Sequence, residues 1–357
     1  MTVRLSLAWL LAAALFLLLP APSRAPACCP APPPNKPVVN ADQTVILLWD
    51  PATKTQHFIR QASFKSGADD FGFLVPTPTQ PELDESGNDA FPYLLKLTAP
   101  EKQQLPRPSN FGCGCSSPVT GGPAPDVKVL EEKRVAGFNA AVLEAASADA
   151  LVRWLADHGY AFSPEVEAWA KPYVAGGWKI TALKVADNQA AQEKRTVRAA
   201  ALRLSFKTDR PVFPYREPDP RSYAKTLGAQ KRLLRIYFVA DARYQGEFQE
   251  GEWTTSKVAW ADKLRHEDRT KMLELLRLPP NTGPAEWWLT EFEDDWPYQV
   301  APSDVYFSRA ADQKPVKRPL HIEYVALPIP TDVTVYALAA VLIVPPLMRR
   351  VRSRLIR

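Results

Sequence analysis

Apolar and polar positions along the chain follow two periods, and the segments that keep one of them predict the elements. Residues 45–49, Val-Ile-Leu-Leu-Trp, are an unbroken apolar run closed by Asp50-Pro51, which reads as a buried strand followed by a turn. Residues 57–64 and the run Phe71-Gly72-Phe73-Leu74-Val75 predict two further strands, the second stopped by Pro76 because proline has no N–H for a ladder. Thr77-Pro78-Thr79-Gln80-Pro81 must be extended, along a surface or a sheet edge, since each proline excludes helical geometry from the residue before it. Residues 101–126, rich in Pro, Gly, Ser and Cys, keep neither period and read as a loop separating two halves of the chain.

Beyond that loop, residues 127–143 are strand-like and the period then changes to three and four. Ser147 can cap a helix running to His158, with Leu151, Trp154 and Leu155 on one face and Gly159 as its stop. Ser163 and Pro164 open a second helix carrying Val166, Trp169, Ala170 and Tyr173 inward, which Pro172 is expected to kink or end. Residues 178–185, 197–206, 211–215 and 233–239 predict strands, residues 262–276 a helix, and residues 286–292 and 323–327 two last strands. The fold class is α+β: a mixed or antiparallel β-rich ectodomain with a few helices, plus one C-terminal transmembrane helix.

The ends of the chain carry that last expectation. Arg4 and the Leu/Ala run at residues 5–19 form the n- and h-regions of a signal peptide, and Ala25-Pro26-Ala27 supplies an A-x-A cleavage site, giving a leader at residues 1–27. Cleavage after Ala27 competes with an uncleaved anchor and with lipidation at Cys28. Residues 333–348 are apolar and span about 24 Å as a helix, short of a roughly 30 Å hydrocarbon core by an amount that thinning and snorkelling absorb. Five arginines follow at residues 349–357 with no acid among them, which places the tail in the cytoplasm and the preceding domain outside. The expected organisation is a β-rich part at residues 28–126, an α+β part of the same ectodomain at residues 127–328, the span at 333–348 and the tail. The chain then resides in the cell envelope as a single-pass membrane protein, in contact with the membrane through residues 333–348.

This topology changes the reading of charge. The 357 residues hold 44 Lys and Arg against 39 Asp and Glu, a net of +5. Two of those bases leave with the leader and five lie in the tail, so residues 28–348 hold 37 bases against 39 acids. A domain with no basic excess lacks the electrostatic footprint of a nucleic-acid binder, and nucleic acid is not an expected partner. Lys225, Lys231, Arg232 and Arg235 read as a solvated face leading into a strand.

Candidate chemistry is sparse. Cys28-Cys29 and Cys113-Gly114-Cys115 are the only cysteines, and an even count in an exported chain points to two disulfides. Bridges between the pairs close a loop of over eighty residues, worth about 4 kcal/mol in the chain-entropy picture, whereas bonds within a pair would be strained. The rival is a metal site of four thiolates, which the spacing of neither pair favours. No metal ligand set and no cofactor are assigned. His57, His158, His266 and His321 lack partners at catalytic or metal-binding spacing in the sequence, and His158 suits the C-terminal end of a helix dipole. No nucleophile elbow, phosphate loop or dinucleotide fingerprint occurs, so no catalytic residue is assigned and an enzyme is not the favoured reading. The most chemical stretch is Glu286-Trp287-Trp288-Leu289-Thr290-Glu291-Phe292-Glu293-Asp294-Asp295-Trp296, whose aromatics and carboxylates suit a glycan platform or glycosidase cleft; the simpler account is a strand with one buried face and an Asp294-Asp295 turn.

The cysteine pair after the leader, FGFLVPTPTQPEL at residues 71–83, GCGC at 112–115 and ALVRWLADHGY at 150–160 together resemble one bacterial family. YVAGGWKITALKV at 173–185, LRLSFKTDRPVFPY at 202–215 and WWLTEFED at 287–294 extend the likeness over nearly all of the mature domain. The chain resembles the domain of unknown function 2330 family, which implies an exported bacterial protein of uncharacterised role, commonly ending in a membrane segment, and carries over no catalytic residue. The expected function is a non-enzymatic binding or structural module of the envelope whose partner is an envelope protein or glycan; the alternatives are an envelope hydrolase using residues 287–296 and metal binding through the cysteines.

Overall fold

A computed structural model describes residues 29–31, 43–60, 72–107, 132–136, 138–158, 160, 165–185, 201–219, 232–296 and 301–326 of the 357. The first half contains β1 (Cys29–Ala31), β2 (Gln43–Asp50), β3 (Thr55–Arg60), β4 (Gly72–Thr77), β5 (Glu82–Ser86), α1 (Ala90–Leu97), β6 (Lys102–Arg107), β7 (Glu132–Val135), β8 (Phe138–Leu143), α2 (Ala148–Asp157) and α3 (Glu165–Ala175). There follow β9 (Lys179–Val185), β10 (Ala201–Lys207), β11 (Val212–Phe213), β12 (Arg232–Ala240), β13 (Tyr244–Glu247), β14 (Ser256–Lys263), α4 (His266–Leu275), β15 (Trp288–Trp296), β16 (Val305–Arg309) and β17 (His321–Ala326). Two compact units result, Met1–Ala99 with Ser117–Lys317, and Pro100–Ser116 with Arg318–Arg357.

The first unit is built in layers of helix, sheet, sheet and helix. Its larger sheet has the order β14-β15-β12-β2-β3-β10-β5, antiparallel except where β12 runs parallel to β2. The second sheet, β1-β4-β9-β8-β7, is antiparallel, and a three-stranded sheet β11-β16-β13 accompanies it. Between the sheets Leu47, Phe58, Leu204 and Ile236 meet Phe73, Phe138, Val142 and Leu183, with Phe213 and Phe307 from the small sheet. The opposite face of the large sheet, through Ile46, Leu48, Ile59 and Val239, packs on Phe91 and Leu94 of α1 and on Met272 and Leu273 of α4. The outer face of the second sheet packs on α2 and α3 through Leu151, Leu155, Val166 and Trp169. A strand between two layers is apolar on both faces, which is why residues 45–49 show no alternation.

The mixed, β-rich α+β class with few helices is as expected, and strands from both sides of residue 126 share the two larger sheets of this unit. Ser147 caps α2 as read, its hydroxyl accepting the Ala150 N–H at 3.2 Å. Other boundaries are corrected. Pro76 lies inside β4 opposite Ile180, beyond the point where β1 stops pairing at Leu74, so the strand is an edge at that position and tolerates proline. Pro172 lies inside α3 without ending it: proline removes the bond to the Ala168 carbonyl, both residues are exposed to water, and the buried Val166, Trp169, Ala170 and Tyr173 hold the helix. The first residues of the expected 262–276 helix belong to β14, and α4 starts at His266. Seven elements escaped the sequence reading: β1, β5, α1, β6, β13, β14 and β16.

In the second unit β6 and β17 pair in parallel, with Tyr324 opposite Leu105. Residues 102–107 are therefore a strand rather than part of a loop, despite lacking any alternation. Among the described residues no helix is long and apolar enough to cross a membrane. The expected leader at 1–27, the apolar run at 333–348 and the arginine tail lie outside the described residues.

Candidate functional site

The stretch that looked most chemical is interior from Trp287 to Asp294. Trp287, Trp288 and Phe292 are 1%, 7% and 2% exposed, so these aromatics, expected as an open platform, are core residues; the Trp296 side chain lies outside what is described. Asp294 and Asp295 form no turn but continue β15, opposite Leu234 and Leu233 of β12. Arg235 faces Glu293 in that register, and its guanidinium forks between two acids, with Nε 2.8 Å from Glu291 and Nη2 2.9 Å from Glu293. Lys257 of β14 completes the group 3.1 Å from the other Glu293 oxygen. Glu291 is fully buried, so this is a cross-strand ion cluster between strands rather than a cleft acid. Arg232 is likewise buried and holds Glu217 with both terminal guanidinium nitrogens, so Arg232 and Arg235 are not part of a solvated basic face as expected, while Lys225 and Lys231 lie outside the described residues.

Asp294 points to the other face of the large sheet, where its carboxylate accepts the Tyr215 hydroxyl at 2.7 Å. Tyr215 links it to a second acid, since the Tyr215 N–H donates to Asp304 at 2.9 Å. The same Asp304 oxygen accepts the Arg216 N–H at 3.1 Å and the Tyr173 hydroxyl of α3 at 2.8 Å. Burial pushes both carboxyls above their ordinary range, against the donors that favour their charged forms. Burial also raises the Tyr215 hydroxyl, with Asp294 reinforcing it. The chain of bonds ties β15, the segment after β11, α3 and the approach to β16 together inside the core.

The nearest approach to a nucleophile and base is Ser205 with His57. Directly opposed on β10 and β3, they place Oγ 2.7 Å from Nδ1. Burial lowers the imidazole to about 4, helped by the positive charge of Arg203 and opposed by Asp50. His57 is thus neutral at neutral pH. A third group would be needed to orient the ring, and Asp50 is committed to its own turn, accepting the Ala52 N–H at 3.0 Å and the Thr53 hydroxyl at 2.7 Å. The pair joins residues 148 apart in sequence, so no local spacing could reveal it.

The remaining sequence candidates are scattered. His158 bonds the Trp154 carbonyl through Nδ1 at 2.7 Å and stacks on the Trp154 indole at 4.0 Å, anchoring the end of α2. His266 opens α4 and His321 opens β17. Among the described residues no three His, Cys, Asp or Glu side chains are grouped to hold a metal. Cys28, Cys113 and Cys115 lie outside the described residues, and of Cys29 only the backbone in β1 is described, opposite Leu74.

A family model described as an uncharacterized protein conserved in bacteria (DUF2330) matches residues 22–308. No curated protein matches the sequence. Among solved structures, the crystal structure of baculovirus P35 is similar at a TM-score of 0.34 and 8% identity, covering 82% of this chain and 100% of that one, a likeness that transfers neither fold detail nor function.

Proposed function

The chain belongs to the DUF2330 family of uncharacterized proteins conserved in bacteria, and on that premise we propose that it is an exported, membrane-anchored envelope protein that works by binding another envelope component. The observation that carries this reading is the commitment of Glu291, Glu293 and Asp294 to internal partners. A catalytic acid must reach the proton it transfers, whereas the Glu291 and Asp294 carboxylates are fully buried and bonded to Arg235 and Tyr215. A leader, an apolar run at 333–348 and the arginines after it support the address.

The test is fractionation of cells carrying the full chain, with intact mass measured after thiol alkylation under non-reducing conditions. Retention in membranes after alkaline extraction, protease access from outside and a chain starting at Cys28 with no alkylated cysteine are the expected results. Recovery as a soluble cytoplasmic protein would overturn the address. Turnover of a chromogenic glycoside or ester, abolished by Glu291→Gln in a variant that still folds, would overturn the binding role. Four alkylated thiols would redirect attention to metal binding by Cys28, Cys29, Cys113 and Cys115.

A further inference from the structure

Parallel strands are normally covered on both faces, and an isolated two-stranded sheet is marginal in water. Among the described residues β6 and β17 form such a pair, and the chain at the start of β17 presents Leu320 and Ile322 at 58% and 46% exposure. These two lie two residues apart in extended chain, hence on one side of it. Among the described residues the only other exposed large hydrophobic is Leu95. An exposed aliphatic edge on an incomplete sheet needs a cover.

The chain itself restricts what that cover is. Ile322 lies eleven residues before Val333, the start of the apolar run, so the two are at most about 36–40 Å apart. From the end of β17 at Ala326 the reach is seven residues, about 25 Å. Two aliphatic side chains are too little for a stable second copy, since a specific interface buries at least about 1,000 Å². A bilayer surface needs no such area, because the span already holds the segment beside it at high effective concentration. We propose that the Leu320 and Ile322 side of β17 rests on the phospholipid surface, its aliphatic side chains at the boundary between headgroups and acyl chains. The inference rests on residues 333–348 being a membrane span.

The full chain, reconstituted into vesicles of phosphatidylcholine and phosphatidylglycerol, tests it by photo-crosslinking and intact mass. p-Benzoylphenylalanine replaces Ile322 in one protein, Val341 of the apolar run in a second and the exposed Lys54 in a third. The expected result is the added mass of one phospholipid at 322 and at 341, with none above background at 54. Lipid adduct at 341 without one at 322 overturns this inference and leaves the anchor standing. So does a 322 adduct to a second copy, or a 54 adduct as strong as that at 322. Failure at 341 overturns the anchor, and the docking of β17 falls with it.

Discussion

Gly87→Ala is the most informative single substitution in the fold. Gly87 follows β5 and its φ is not left-handed, so an alanine there costs nothing in backbone conformation. Its Cβ, however, would stand 2.0 Å from the Leu275 carbonyl oxygen and 3.2 Å from the carbonyl carbon at the end of α4. Carbon and oxygen normally approach no closer than about 3.3 Å, so the helix end must retreat by more than about 1 Å. It cannot do so freely. Ser86 donates its hydroxyl to the Leu276 carbonyl at 2.8 Å, and Arg203 donates to the Leu276 and Arg277 carbonyls at 3.0 and 3.2 Å. Displacement therefore adds the loss of one or two buried bonds, about 1 kcal/mol each, to an overpacking cost of about 1–3 kcal/mol. The expected loss is about 2–5 kcal/mol, read as a lower urea midpoint at unchanged slope by tryptophan fluorescence. Gly177→Ala is the control: its φ of 70° strains any side chain, but nothing lies within 4 Å of the added carbon, so its cost is about 1–2 kcal/mol. If Gly87→Ala proves no costlier than Gly177→Ala, the reasoning from close approach is wrong.

Arg235→Met should lose about 3–5 kcal/mol because it takes the guanidinium from the buried Glu291 and leaves Glu293 to Lys257, and most of that should return in Arg235→Met/Glu291→Met; equal losses in the single and double variants would refute an ion-pair origin. His57, held at about 4 against an ordinary 6.5, binds its proton more weakly folded than unfolded, so its share of stability is present above pH 6.5 and is lost as pH falls toward 4. His57→Gln should flatten that slope, and an NMR titration placing His57 near 6.5 would contradict it. Asp294 has the opposite sign: its folded value is raised, so its contribution is largest below the ordinary 3.8 and declines as pH climbs through the raised value. Asp294→Asn should remove that decline in denaturation midpoints measured from pH 4 upward, and an unchanged profile would refute it.

What the sequence made legible follows from how locally each feature is determined. β2 announces itself because a strand buried on both faces is one apolar run, and α2 because Ser147 and the spacing of Leu151 and Leu155 are local. β14 hides for the converse reason: a bulge between Val258 and Trp260 shifts its register against β15, so Ser-Lys-Val-Ala-Trp-Ala-Asp-Lys never settles into alternation. β6 carries no apolar pattern at all and exists through its pairing with a strand more than two hundred residues later. The acids of β15 were visible as residues but not as partners. Their cations lie on β12 and β14, and neither spacing nor composition can say that Arg235 stands opposite Glu293.

That arrangement gives the buried charges a role that stability alone does not explain. An ion cluster in a core roughly breaks even against apolar residues of the same size. Register is different, because a slip of one residue between strands turns every side chain to the other face. A slip of β15 against β12 would bring Glu291 and Glu293 to the side lined by Phe238 and Phe307, away from Arg235 and Lys257. It would also take Asp294 from the Tyr215 hydroxyl and put it among Tyr237 and Val239 of β12 on the helix-covered side. Each displaced carboxylate would then be buried without a partner, at a cost far above that of a misplaced apolar residue. Nine consecutive pairs between β12 and β15 thus have one tolerable alignment, set by acids on both faces of a single strand. The Glu291, Glu293 and Asp294 carboxylates, part of the stretch that suggested a catalytic cleft, are explained by this demand for alignment, which also accounts for their burial.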